Sequence, residues 1–133
     1  MFGKVAKPNT KIDSLIGAGT TIEGNVTFTG GLRVDGEIRG NVTASGENQG
    51  TMVVSENARI EGAIDVPHLV INGVVTGPVR SSVSVELQPR ARVTGDLEYN
   101  SVEIHLGAIV EGRLVHMGSA AGKAVELKLA SVR

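Results

Sequence analysis

An all-β fold, a parallel β-helix of about six turns with a roughly triangular section, is predicted by three features of the 133-residue chain. The composition is that of strands and turns: 18 glycines, apolar content almost entirely Val, Ile, Leu and Ala, and only two Phe and one Tyr. Short aliphatic segments alternate with polar residues, so each strand buries one face. The pattern also repeats. Sliding "VEIHLGAIVEGRLVH" (Val102 to His116) back by 17 residues lays it over "VELQPRARVTGDLEY" (Val85 to Tyr99), with Ile104 on Leu87, Ala108 on Ala91, Val110 on Val93, Gly112 on Gly95 and Leu114 on Leu97.

Residues 1–13 hold Lys4, Lys7, Pro8 and Lys11 and little core material, so they read as a short flexible tail. Residues 14–116 form the predicted β-helix. Its marker is an aliphatic residue, a spacer, Gly, a spacer and an aliphatic residue, at Ile22–Val26, Ile38–Val42, Ile60–Ile64, Val75–Val79, Val93–Leu97 and Val110–Leu114. The marker glycines stand at 24, 40, 62, 77, 95 and 112, giving intervals of 16, 22, 15, 18 and 17. A glycine there suits a corner that needs positive φ or close backbone approach. A second alternating pair precedes most markers: Leu32/Val34, Met52/Val54, Leu69/Ile71, Val85/Leu87 and Val102/Ile104. Each unit therefore holds about three short strands. Strands this short are unstable alone, and stacking turns in register gives them partners and merges the inward aliphatics into one column. Six turns at about 4.8 Å make a rod on the order of 29 Å long. The longest interval contains "ASGENQGT" (Ala44–Thr51), read as a loop bulging from one corner. Residues 117–133 form a second flexible tail, in which "VELKLASV" reads equally as one more strand or as loose chain.

Two hands of coil fit a repeat of this kind. Ile16, Ile22 and Phe28 are spaced by six, as are Ile104, Val110 and His116, and "IGAGTTIEGNVT" resembles the hexapeptide repeats of left-handed β-helix acyltransferases. An enzyme of that class is the alternative reading, assembled as a side-by-side trimer with an essential His. Intervals of 15, 16 and 17 break the multiple of six, and parallel crossovers favour the right hand. A right-handed coil is the expectation.

The span from Ile12 to His116 resembles the bactofilin family of bacterial cytoskeletal proteins. The resemblance is carried by "MFGK" at the start, "IGAGTTIEGNVTFTGGLRVDGEIRGNV" (Ile16–Val42), "SENARIEGAI" (Ser55–Ile64) and "LGAIVEGRL" (Leu106–Leu114). It implies a right-handed β-helix that polymerises without nucleotide into filaments lacking polarity. It implies attachment of a cytoplasmic protein to the inner face of the membrane through the N-terminal tail. It also implies a scaffold role in cell shape, stalk or wall-synthesis localisation, with cell-wall enzymes as clients. Many relatives carry long proline-rich tails, whereas this chain has four prolines in all.

The residues offer little chemistry of their own. A net charge of −1 and three aromatics argue against nucleic acid. The absence of cysteine excludes disulfides and thiolate zinc sites. "MFGKVAKPNTKIDS" has no apolar segment of a secretory signal, so the "NVT" sequons at Asn25–Thr27 and Asn41–Thr43 read as chance matches. "GSAAGKA" (Gly118–Ala124) has one residue too few between its glycines for a phosphate loop, and Ala124 stands where Ser or Thr would meet magnesium. His68, His105 and His116 read as surface residues, the last two at corner or outward positions. Asp35, Glu37, Glu61, Asp96 and Glu111 read as the solvated face. No catalytic group, cofactor site, nucleotide site or metal site is expected.

Two functional surfaces are expected instead. Met1 and Phe2 are bulky apolar residues beside Lys4 and Lys7, a combination that suits an anionic membrane surface. Burying the two apolar side chains gains roughly 3–6 kcal/mol gross, and each lysine adds about 1 kcal/mol. One copy binds weakly, and a filament presenting many copies binds firmly. The rod ends are the second surface. An open stack exposes unpaired backbone and the apolar column. Ile12, Leu15, Ile16, Ile22 and Phe28 crowd the first turn, and Leu106, Val110 and Leu114 line the last. End-to-end stacking through Ile16, Ile22, Phe28, Leu106, Val110 and Leu114 into a homopolymer is therefore expected.

Overall fold

The computed structural model describes residues 12–46 and 50–117. They form six turns of three strands each. The first turn is β1 (Ser14–Ile16), β2 (Thr21–Glu23) and β3 (Val26–Phe28). The second is β4 (Gly31–Val34), β5 (Glu37–Arg39) and β6 (Val42–Ala44); the third is β7 (Thr51–Val54), β8 (Arg59–Glu61) and β9 (Ile64–Asp65). The fourth is β10 (His68–Ile71), β11 (Val74–Thr76) and β12 (Val79–Ser81). The fifth is β13 (Ser84–Leu87), β14 (Arg92–Thr94) and β15 (Leu97–Tyr99), and the sixth is β16 (Val102–Ile104), β17 (Ile109–Glu111) and β18 (Leu114–His116).

Every third strand joins the same sheet, so β1-β4-β7-β10-β13-β16 form the first sheet, β2 to β17 the second and β3 to β18 the third. All pairs are parallel. Strands of two to four residues survive because each finds its hydrogen bonds one turn away. The marker aliphatics then stack as predicted. Ile22, Ile38, Ile60, Val75, Val93 and Val110 form one column of the second sheet. Val26, Val42, Ile64, Val79, Leu97 and Leu114 form another in the third. Leu32, Met52, Leu69, Val85 and Val102 stack in the first sheet. These columns are buried along the middle of the rod and make one core.

The corners differ in kind. Between the second and third sheets every corner has two residues and carries the marker glycine. Its backbone passes so close to the previous turn that a Cβ on Gly95 would lie 2.6 Å from the Gly77 carbonyl oxygen. Asn or Asp beside the glycine ties some of these corners together. Asn25 Oδ1 accepts from the Asn41 N–H at 2.9 Å, Asn41 Oδ1 from the Ala63 N–H at 2.9 Å, and Asp96 Oδ1 from the Arg113 N–H at 3.1 Å. Ala63 offers no such acceptor, and the next residue in the column is Pro78, which has no N–H to satisfy.

Between the first and second sheets the corners have four residues in turns one, three, five and six, and two in turns two and four. Corner length, rather than strand length, accounts for most of the uneven glycine spacing. The segment expected to bulge is a longer insertion between two strands, and its residues 47–49 lie outside the described residues. β6 ends at Ala44 and β7 begins at Thr51, where the other corners between third and first sheets hold two residues.

Candidate assembly ends and an outward carboxylate pair

The turn geometry leaves three strands at each end with a neighbour on one side only. Among the described residues β1, β2 and β3 pair solely with the second turn, and β16, β17 and β18 solely with the fifth. No helix among the described residues covers either end. Of the residues expected at the ends, Ile16 and Phe28 face inward and are buried, and Ile22 is half-buried. Val110 and Leu114 also face inward and are only 6% and 4% exposed.

Three expectations need correction. Leu106 does not line the last turn: it sits at a corner and is 86% exposed. Leu15 is 61% exposed and Ile12 is exposed too, so neither packs into the first turn. Adjacent Leu15 and Ile16 share one strand, so their side chains must point to opposite faces, and Ile16 takes the inward one. His116 is not at a corner or outward position. It continues the column of Ser81 and Tyr99, its ring meeting Tyr99 edge-on at 5.6 Å while Nε2 contacts the Asn100 carbonyl at 3.0 Å. Its spacing of six from Val110 carried that signal. Met1, Phe2, Lys4 and Lys7 lie outside the described residues. No helix of the described residues is long and apolar enough to cross a membrane.

The outward faces are ordered by charge. Stacked turns bring charged residues into register, and opposite signs meet at Glu23–Arg39, Arg39–Glu61, Glu37–Arg59, Asp65–Arg80 and Arg80–Glu98. Arg39 forms ion pairs with Glu37 at 3.1 Å and Glu23 at 3.2 Å, and the bond to Glu37 raises its pKa. Asp35 accepts a hydrogen bond from the Ser55 hydroxyl of the next turn, and this bond, with Arg33 beside it, holds its carboxyl below the ordinary aspartate range. One registered pair breaks the rule: Glu86 faces Glu103. His105 lies beside both, with Nε2 at 2.9 Å from Glu86 and 3.4 Å from Glu103. Of the three, only His105 is singled out by the sequence, as a surface residue, and Glu86 and Glu103 are passed over. Their signal was present, since Glu86 and Glu103 occupy the same phase of the 17-residue repeat.

A solenoid of parallel sheets with uncovered end strands and no helix among its described residues is a structural class of protein, one built on repetition. Residues 14–115 match the bactofilin family model, described as polymer-forming cytoskeletal. The chain belongs to the bactofilin family. It is similar to bactofilin BacP of Myxococcus xanthus strain DK1622, at 31% identity over 106 residues, covering 80% of this chain and 42% of the relative. It is also similar to bactofilin BacO of the same strain, at 30% identity over 103 residues, covering 71% of this chain and 82% of the relative. The chain thus spans less than half the length of BacP. No solved structure gives a significant match.

Proposed function

We propose that this chain polymerises end to end, without nucleotide, into non-polar filaments that lie on the inner face of the cytoplasmic membrane and organise cell shape or cell-wall machinery. The observation that carries the reading is the pair of open ladder ends. Among the described residues six end strands, each paired on one side only, are a strong template for pairing with another chain. A second copy satisfies them with backbone ladder hydrogen bonds of the kind that already join turn to turn within the rod. The exposed Leu106 beside the last turn adds apolar area to that contact. Membership of a polymer-forming family supports the same conclusion. Membrane attachment rests on Met1, Phe2, Lys4 and Lys7 and on multivalency along the filament. Cell-wall enzymes are proposed as clients through the resemblance stated above, and a non-catalytic role follows from the scaffold reading.

Negative-stain electron microscopy of purified protein without nucleotide tests this. Filaments are expected. Discrete side-by-side trimers would favour the acyltransferase alternative instead.

A further inference from the structure

We infer that Glu86, Glu103 and His105 form a site for a divalent transition-metal ion that clamps the sixth turn of the rod to the fifth. The argument begins with register. Parallel stacking sets Glu86 of β13 directly beside Glu103 of β16, and like charges so placed repel. Every other charged pair brought into register among the described residues joins opposite signs. An added cation between the two carboxylates would offset that repulsion.

The donor set then names the cation's chemistry. Two carboxylates and one imidazole present ligand atoms that all lie within 4.8 Å of one another. The His105–Glu103 separation of 3.4 Å matches the ligand-to-ligand edge of roughly 3.4 Å expected for a tetrahedral ion bound at about 2.1 Å, and the His105–Glu86 separation of 2.9 Å is shorter and would widen on binding. An imidazole with two oxygens suits zinc or a neighbouring transition metal, whereas magnesium prefers oxygens and water. Three protein ligands leave a fourth position for water or for a donor from another molecule.

The supporting contacts also fit. Gln88 Nε2 donates to Glu86 at 3.4 Å, and the His105 backbone N–H donates to the Leu87 carbonyl at 2.9 Å, so the imidazole hangs from a hydrogen-bonded corner. Glu86 belongs to turn five, and Glu103 and His105 to turn six. A bound ion therefore cross-links the last two turns at the open end of the ladder. Leu106, the most exposed of the large apolar residues among those described, follows His105 directly.

Isothermal titration of tag-free, full-length protein with zinc chloride tests the site, with thermal unfolding as a second readout. One zinc per chain is expected, with a rise in Tm as zinc is added. Glu103→Gln and His105→Gln should each weaken binding by more than the roughly 10- to 100-fold that loss of a mere supporting partner costs. His68→Gln and His116→Gln should bind as the parent does. Without zinc, Glu103→Gln should be at least as stable as the parent, because it removes a like-charge contact. Magnesium at the same concentration should leave Tm unchanged. Absence of saturable zinc binding, undiminished affinity in Glu103→Gln, or an equal response to magnesium would each overturn the proposal.

Discussion

A Cβ added to Gly77 would lie 2.2 Å from the carbonyl oxygen of Gly62, the glycine at the same corner one turn earlier. The clash is with backbone, which cannot move without opening the stack, and Gly77 has a φ of +140°. Gly77→Ala should therefore cost more than the roughly 1–3 kcal/mol of a strained backbone alone. Gly24 has a similar φ of +137° but nothing within 4 Å of the added carbon, because among the described residues no turn precedes its own. Gly24→Ala should cost only the strain. Urea denaturation of both variants checks the order, and equal losses would deny the close-packed corner.

Asp35 gives the fold a defined acid sensitivity. Its carboxyl is depressed by the Ser55 hydroxyl and by Arg33, so it contributes stability above the unfolded aspartate value near pH 4. That contribution is lost as pH falls through the lower folded value. Ser55→Ala should cost about 1 kcal/mol at neutral pH and flatten the loss of stability below pH 4. Denaturant titrations at several pH values report both effects, and an unchanged acid limb would assign the sensitivity elsewhere.

Filament polarity is decided by single charges at the ends. Phe28 and Leu114 face the core, so charging them also attacks folding. Ile22→Arg at the first turn, where the side chain ends its inward column and is only half-buried, and Leu106→Arg at the last, where it is exposed, disturb the core less. If each end contacts its own kind through a two-fold axis, either variant stops at dimers and the double variant is monomeric. Light scattering is expected to show this, with folding verified by circular dichroism. Monomeric single variants would instead establish a head-to-tail filament.

Assembly should proceed equally with ATP, with GTP or with neither, since backbone pairing at the ladder ends needs no hydrolysis. A pelleting assay is sufficient. Filaments that require or dissolve on nucleotide would refute the stacking model.

Removing residues 1–7, or changing Phe2 to Glu, should abolish co-sedimentation with anionic liposomes and leave filaments intact. Undiminished liposome pelleting would place the membrane contact elsewhere on the molecule.

Strand register was legible before any coordinates because inward positions admit no slip. Moving Val75 by one residue against Ile60 would turn its whole strand inside out, so the aliphatic markers and their glycines had one consistent stacking. The same constraint made the bulge between Ala44 and Thr51 readable, as an insertion the stack cannot absorb internally. Outward side chains and corners are under no such constraint. Whether a corner takes two residues or four is settled by local turn geometry, and with it whether Leu106 reaches solvent. His116 turned inward because its strand parity, set by Leu114, left it beside Tyr99. Glu86, Glu103 and His105 meet only once two turns are stacked and a corner swings the imidazole over them, a juxtaposition that repetition permits but that three-dimensional packing alone brings about.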